Sequence, residues 1–287
     1  MYPRPFEYVA PKTLDEALAA LDQTEGAKVI SGGMSLLGLM KLRLLSPGTL
    51  IDIGRIPELD QIEDRDDHIA IGALVTHGMT ASHALTTEHA TALAQAASWT
   101  GDVQVRNRGT TCGSLAHADT AADQPAGAIA CGAVMVARSV GGDREIAAAD
   151  FFVDALTSAL EPNEILVELR IPKEGGRSAY DKLGRRGGHS DYAVAGAAAW
   201  VRSDNGTVAD ARIGLTGVGT APSLAAGATE AIIGSDGSAE AIAAAAERAV
   251  EGVTVLEDLY GSEEYKTHLA KVYVARALEQ ALALARS

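Results

Sequence analysis

Between Thr13 and Ile53 a helical period gives way to two short apolar runs, and the first run is cut off by a serine and two glycines. In TLDEALAALDQ, Leu14, Ala17, Leu18 and Leu21 recur at helical spacing behind a capping Thr13, which predicts an amphipathic helix. KVI then reads as a strand, SGG as the loop that ends it, MSLLGLMKLRLL as a short helix or ordered turn carrying basic residues, and TLIDI at 49–53 as a buried strand. A strand that stops in two glycines and hands over to a helix restricts this part of the chain to an αβ unit with a backbone turn at the switch.

Further along, HIAIGAL at 68–74 predicts a strand, followed by helices from about Thr80 and across 91–97. Residues 101–124 show turn chemistry rather than regular periodicity, and AGAIACGAVMVA after them reads as a helix leading into a strand. EPNEILVELRIP supplies a turn, a strand and a stop at Pro172. Proline, glycines and charges at 172–177 mark a break, after which SDYAVAGAAAWV and VADARIGLTGVG are strand candidates. Ala193 to Trp200 fits strand or helix, while SAEAIAAAAERAVEG and EEYKTHLAKVYVARALEQALALA have helical spacing. A chain of 287 residues is expected to form two or three domains with a core that needs no staple.

The net charge of -14 argues against a nucleic-acid partner. Two cysteines, Cys112 and Cys131, are too few for a disulfide framework or for ligating an iron-sulfur cluster, and fit a reduced intracellular setting. The start MYPRPFEYVAPKT lacks a signal-peptide core and no apolar run reaches membrane-spanning length, so no transmembrane segment is expected. Abundant alanine and glycine fit either close backbone packing or a compositional bias.

Two loops carry the chemistry. Ser31, Gly32, Gly33 and Ser35 can expose backbone N–H groups to an anion, or form an ordinary turn. RNRGTTCGSLAHADTAAD places Gly109, Thr110, Thr111, Gly113 and Ser114 before Asp119 and Asp123, so hydroxyls supplement backbone donors while a carboxylate suits a ribose hydroxyl or a flavin N–H. Neither GxGxxG nor GxxxxGK followed by Ser or Thr occurs at the first loop. Arg106 and Arg108 fit phosphate neutralisation or a structural role. His117, Asp119 and Asp123 fit loop packing better than a metal site, so no metal ligand and no nucleophilic triad is assigned. Arg185, Arg186 and His189 fit a turn better than a basic patch, and Trp99 and Trp200 fit packing or an interface.

In order along the chain, VISGGMSLLGLMKLRL, TLIDIGRI, VRNRGTTCGSLAHADTAADQPA and YDKLGRRGGHSDYAVAGAA resemble the FAD-binding medium subunit of molybdenum hydroxylases, in the branch similar to aerobic carbon monoxide dehydrogenase. The resemblance implies an α+β fold of the vanillyl-alcohol-oxidase type, with two α/β FAD-binding subdomains at 1–174 and a smaller C-terminal α+β domain at 175–287. It implies that Gly32, Gly33, Met34, Ser35 and Leu36, with Thr110, Thr111, Cys112, Gly113 and Ser114, cradle the FAD diphosphate. Asp123 and Lys182 are implied near the cofactor and Tyr192 beside the isoalloxazine.

The same resemblance implies an electron-exit subunit that accepts electrons from iron-sulfur centres and passes them to an external acceptor, with no catalytic residue of its own. Its expected partners are a large subunit with the molybdenum-pterin cofactor and a small subunit with two 2Fe-2S clusters, assembled as a dimer of heterotrimers. The expected location is the cytoplasm, with a peripheral position at the inner face of the membrane as a further option. The substrate at molybdenum stays open among carbon monoxide, an aldehyde and an N-heterocycle, because those contacts lie in another chain. Cys112 departs from the family, which commonly has glycine there. If that position needs positive φ, cysteine is strained, and a flavin-free assembly subunit becomes the alternative reading.

Overall fold

The computed structural model describes residues 2–188 and 190–286. The chain opens with strand β1 (Glu7–Val9), helix α1 (Leu14–Gln23), β2 (Lys28–Ile30), α2 (Leu36–Lys41) and β3 (Thr49–Asp52), whose strands form a parallel sheet in the order β1-β3-β2. Thr13 caps α1 by accepting from Glu16 N, and Ala17, Leu18 and Leu21 turn inward as their spacing predicts. Both connections cross over through a helix, as parallel strands require.

The second unit begins with β4 (Ile62–Asp64) and β5 (His68–Gly72). Helices α3 (His77–Ser82), α4 (Ala84–His89), α5 (Thr91–Trp99), α6 (Val103–Arg106), α7 (Thr111–His117) and α8 (Asp123–Ala130) follow. Then come β6 (Val134–Ser139), β7 (Gly142–Ala147), α9 (Ala148–Phe151), the hairpin β8 (Phe152–Asp154) and β9 (Thr157–Ser158), and β10 (Ile165–Pro172). Its main sheet is antiparallel, in the order β4-β5-β10-β6-β7. Three details differ from the sequence reading. The first helix starts at His77 because Thr76 caps it, it ends at Ser82 where His83 is extended, and the supposedly irregular 101–124 holds two short helices capped by Asp102 and Thr110. Helices of four and seven residues are too short to show a hydrophobic period.

The third unit is an antiparallel sheet of β11 (Arg177–Gly184), β12 (Ala193–Asp204), β13 (Thr207–Thr216) and β14 (Ser223–Leu224), followed by α10 (Ala226–Ile232), α11 (Ala239–Glu247) and α12 (Glu263–Arg286). The ambiguous 193–200 run is strand, and it lacks polar alternation because both faces are covered. Ala195, Ala197, Ala199 and Val201 join a core with the C-terminal helices, whereas Ala198 and Trp200 join the core of the preceding unit. Small residues are demanded there by distance: a Cβ on Gly214 would lie 2.3 Å from the Ala126 carbonyl oxygen of α8, and one on Gly127 would lie 2.9 Å from the Leu93 Cα of α5. Trp200 packs under the Arg212 guanidinium, 3.9 Å from its ring centroid, and Arg212 also donates to Ala130 O. Together these contacts seat the third sheet on α5 and α8.

Candidate cofactor-binding site

A cleft of about 1220 Å³ runs between the parallel sheet, α7 and the start of α8, and reaches Tyr192 in the third unit. Its first wall is the loop between β2 and α2. Gly33 has φ +72°, a left-handed turn that only glycine makes without strain, and it aims the chain into α2. Among the described residues, the backbone N–H groups of Gly32, Gly33, Met34, Ser35 and Leu36 donate to no protein acceptor. Five consecutive free donors at the border of a cleft form an anion-binding concavity.

The second wall is the loop 109–114, held by backbone bonds from His77 N to Gly109 O (2.9 Å) and from Thr111 N to Val75 O (3.0 Å). Thr110 caps α7 by accepting from Gly113 N, and its hydroxyl meets that of Ser31 at 3.0 Å. The two loops therefore touch. A Cβ on Gly32 would fall 2.1 Å from Arg108 O, so the contact between the loops requires that glycine, while one on Gly113 would fall 2.6 Å from Thr110 Oγ1 within its own loop and 3.0 Å from Ser31 Oγ of the other.

Cys112 does not have positive φ; it lies in the first turn of α7, only 2% exposed, with its thiol against the Ile71 and Gly72 carbonyls of the antiparallel sheet. The strain that motivated a flavin-free reading is therefore absent. Burial pushes the thiol up to about 12, which makes it an inert packing group. Thr111 also points away from the cleft, with its hydroxyl 2.6 Å from that of Thr80. Gly32 to Leu36, Thr110 and Cys112 to Ser114 border the cleft, whereas Thr111 and Lys182 do not.

Asp123, the first residue of α8, faces the cleft and is otherwise enclosed. Lys182 Nζ lies 2.7 Å from both of its carboxylate oxygens and donates to Asp191 O at 2.5 Å, and Tyr180 donates to Asp123 Oδ1 at 2.6 Å. Burial pushes the Asp123 carboxyl up to about 6, against the pull of the Lys182 ammonium, and burial lowers Lys182. Lys182 thus acts from behind the carboxylate and also ties down the peptide that precedes Tyr192. Tyr192 is 41% exposed at the cleft, with the Arg185 guanidinium 5.1 Å from its ring centroid and 4.3 Å from that of Tyr260. Arg186 pairs with Asp191 at 2.8 Å, and His189 lies outside the described residues.

Arg106 donates to Gly101 O at 2.6 Å, a structural role, and Arg108 serves the loop contact through its carbonyl. His117 and Asp119 border the cleft; burial lowers His117, and Asp119 accepts from Ala121 N. Sequence reasoning missed Tyr180, Asp191, His77 and Gln124, whose roles depend on side chains 57, 9 and 47 residues away in the chain. It also missed the β8-β9 hairpin, whose Leu156 and Thr157 border the cleft.

The residues present fit a large anionic dinucleotide: free amides for a diphosphate, an acceptor carboxylate, and an accessible aromatic face. Fold and cleft define a protein that holds a large anionic dinucleotide. Residues 4–174 match the family model described as the FAD binding domain in molybdopterin dehydrogenase, and residues 178–281 match the CO dehydrogenase flavoprotein C-terminal domain. The chain belongs to the family of FAD-binding medium subunits of molybdenum hydroxylases. It is 41% identical to the carbon monoxide dehydrogenase medium chain of Hydrogenophaga pseudoflava, covering 99% of each chain. It is 38% identical to the 6-hydroxypseudooxynicotine dehydrogenase complex subunit alpha of Paenarthrobacter nicotinovorans, covering 100% of this chain and 97% of the relative. Among solved structures, quinoline 2-oxidoreductase from Pseudomonas putida 86 superposes with a TM-score of 0.93 at 33% identity, covering 100% of both chains. The chain is accordingly an oxidoreductase component of a multisubunit complex, and no described helix is long and apolar enough to cross a membrane.

Proposed function

We propose that this chain holds FAD across the cleft, with the diphosphate on the free amides of Gly32 to Leu36 and on the Thr110 to Ser114 loop. Tyr192 lies beside the isoalloxazine and Asp123 accepts a hydrogen bond from the cofactor. The run of unpartnered amides beside the second loop carries this reading. Bound FAD supplies reversible electron exchange. The chain's own residues bind it, shield one side with the Tyr192 ring, and keep a lysine-paired carboxylate at Asp123. Thr111, the Cys112 thiol and Lys182 support these groups from outside the cleft.

Residues 1–174 form the FAD-binding part and 175–287 the C-terminal part in this reading. The complex adds a large molybdenum-pterin subunit and a small subunit with two 2Fe-2S clusters, assembles as a dimer of heterotrimers, and works in the cytoplasm or peripherally at the inner face of the membrane. The chain takes electrons from the iron-sulfur centres and delivers them to an external acceptor. Purification of the assembled complex, followed by flavin release and an absorbance spectrum, tests the reading. One FAD per copy of this chain is expected, and a folded complex without FAD after growth in cofactor-replete medium would refute it.

A further inference from the structure

Where α3 begins, His77 is a polar side chain only 4% exposed that still borders the cleft. Its proton can be located from its neighbours. Thr100 commits its hydroxyl proton to Ala96 O at 2.9 Å, so toward Gln124 it can only accept. The side-chain amide nitrogen of Gln124 therefore faces Thr100 at 3.2 Å, and the same nitrogen lies 2.7 Å from His77 Nδ1. With Nδ1 accepting, the neutral imidazole carries its proton on Nε2. Burial and the Arg106 charge push His77 down to about 4, so the ring is neutral at ordinary working pH.

Nε2 lies beside the second loop, 2.5 Å from the place a Cβ on Gly109 would take, and glycine there leaves it uncovered. Among the described residues no protein group accepts from it. A neutral donor held in one tautomer by buried Gln124 and half-buried Thr100, and left unspent at a cleft wall, is a preorganised binding group.

We propose that His77 is a cofactor-binding residue that donates from Nε2–H to an acceptor atom of the bound dinucleotide, with Gln124 and Thr100 as the residues that position it. The inference rests on the FAD reading of the cleft. It is tested on the assembled complex, stripped of flavin and titrated with FAD by fluorescence quenching. Glutamine at this site carries its amide nitrogen near the Nε2 position and asparagine near Nδ1, so His77→Gln is expected to bind FAD within about threefold of the parent. His77→Asn and His77→Phe are expected to bind roughly tenfold more weakly, the loss of one hydrogen bond. Parent-like affinity in the Phe and Asn variants overturns the proposal. So does an equal loss in all three, which would mark a packing role. If the parent complex binds no FAD, the cofactor reading fails first and this inference falls with it, whereas a parent that binds beside unaffected variants refutes the His77 role alone.

Discussion

Replacing Lys182 with methionine removes the ammonium that faces both oxygens of Asp123 at 2.7 Å and keeps a side chain of similar length. Both partners are buried, Lys182 at 4% exposure, so the lost pair leaves a carboxylate without its countercharge in a dry site. Breaking such a pair from one side costs about 3–5 kcal/mol. The cost has a pH signature. Asp123 already sits up at about 6, against an ordinary 3.8, and without Lys182 burial drives it higher. A carboxyl whose folded pKa is raised contributes stability that is full below the unfolded value and is lost as pH rises through the folded one. Above pH 6 the variant therefore retains a proton that the parent has released, and its deficit grows by about 1.4 kcal/mol per pH unit until its own raised pKa is reached.

Urea denaturation of the flavin-free chain at pH 5, 6, 7 and 8, followed by tryptophan fluorescence, measures this directly, since Trp99 lies 5.6 Å from Tyr180 in the same cluster. The double variant Asp123→Asn with Lys182→Met should recover most of the loss, because no charge then remains to be desolvated. A deficit independent of pH between 6 and 8, or a double variant no better than the single one, would refute the view that Lys182 serves chiefly as the countercharge of Asp123.

Gly32→Ala places a methyl 2.1 Å from Arg108 O and should disrupt the contact between the loops, lowering stability by more than about 2 kcal/mol; Gly33→Ala, strained by its φ of +72° and crowding the Ile30 side chain at 3.0 Å, should cost about 1–2 kcal/mol in the same denaturation assay. Cys112 should resist maleimide labelling in the native chain and react on unfolding, and Cys112→Gly should cost about 2 kcal/mol, through the emptied side-chain site and the added backbone freedom, while leaving FAD affinity unchanged by fluorescence titration. Tyr192→Phe should keep FAD affinity within about twofold, because the ring face is retained, whereas Tyr192→Leu should weaken it by about fivefold in the same titration.

Local rules were sufficient wherever an element is shaped by its own residues. Thr13 and the Leu14, Ala17, Leu18 and Leu21 stripe specified α1, and Pro172 closed β10. The glycine loop after KVI was visible because a backbone turn needs glycine wherever the rest of the chain lies. Both walls of the cleft could be named from residues close in sequence, since free amides and capping hydroxyls are properties of a short segment.

Tertiary structure alone decided the rest. The 193–200 run could not declare itself a strand, because burial on both faces erases the alternation that marks one. The short helices α6 and α7 were hidden for want of a full period. Whether Cys112 was strained depended on a φ angle that no composition reveals, and Lys182 proved to stand behind Asp123 because a partner 59 residues away occupies its three donors together with Asp191 O. Gly32, chosen from sequence as room for a ligand, is first of all room for Arg108 and Gly109. Sequence encodes what each segment can offer to a partner, and the distances between segments, set only when the cores pack, decide which offers are taken up within the protein and which stay open to the cleft.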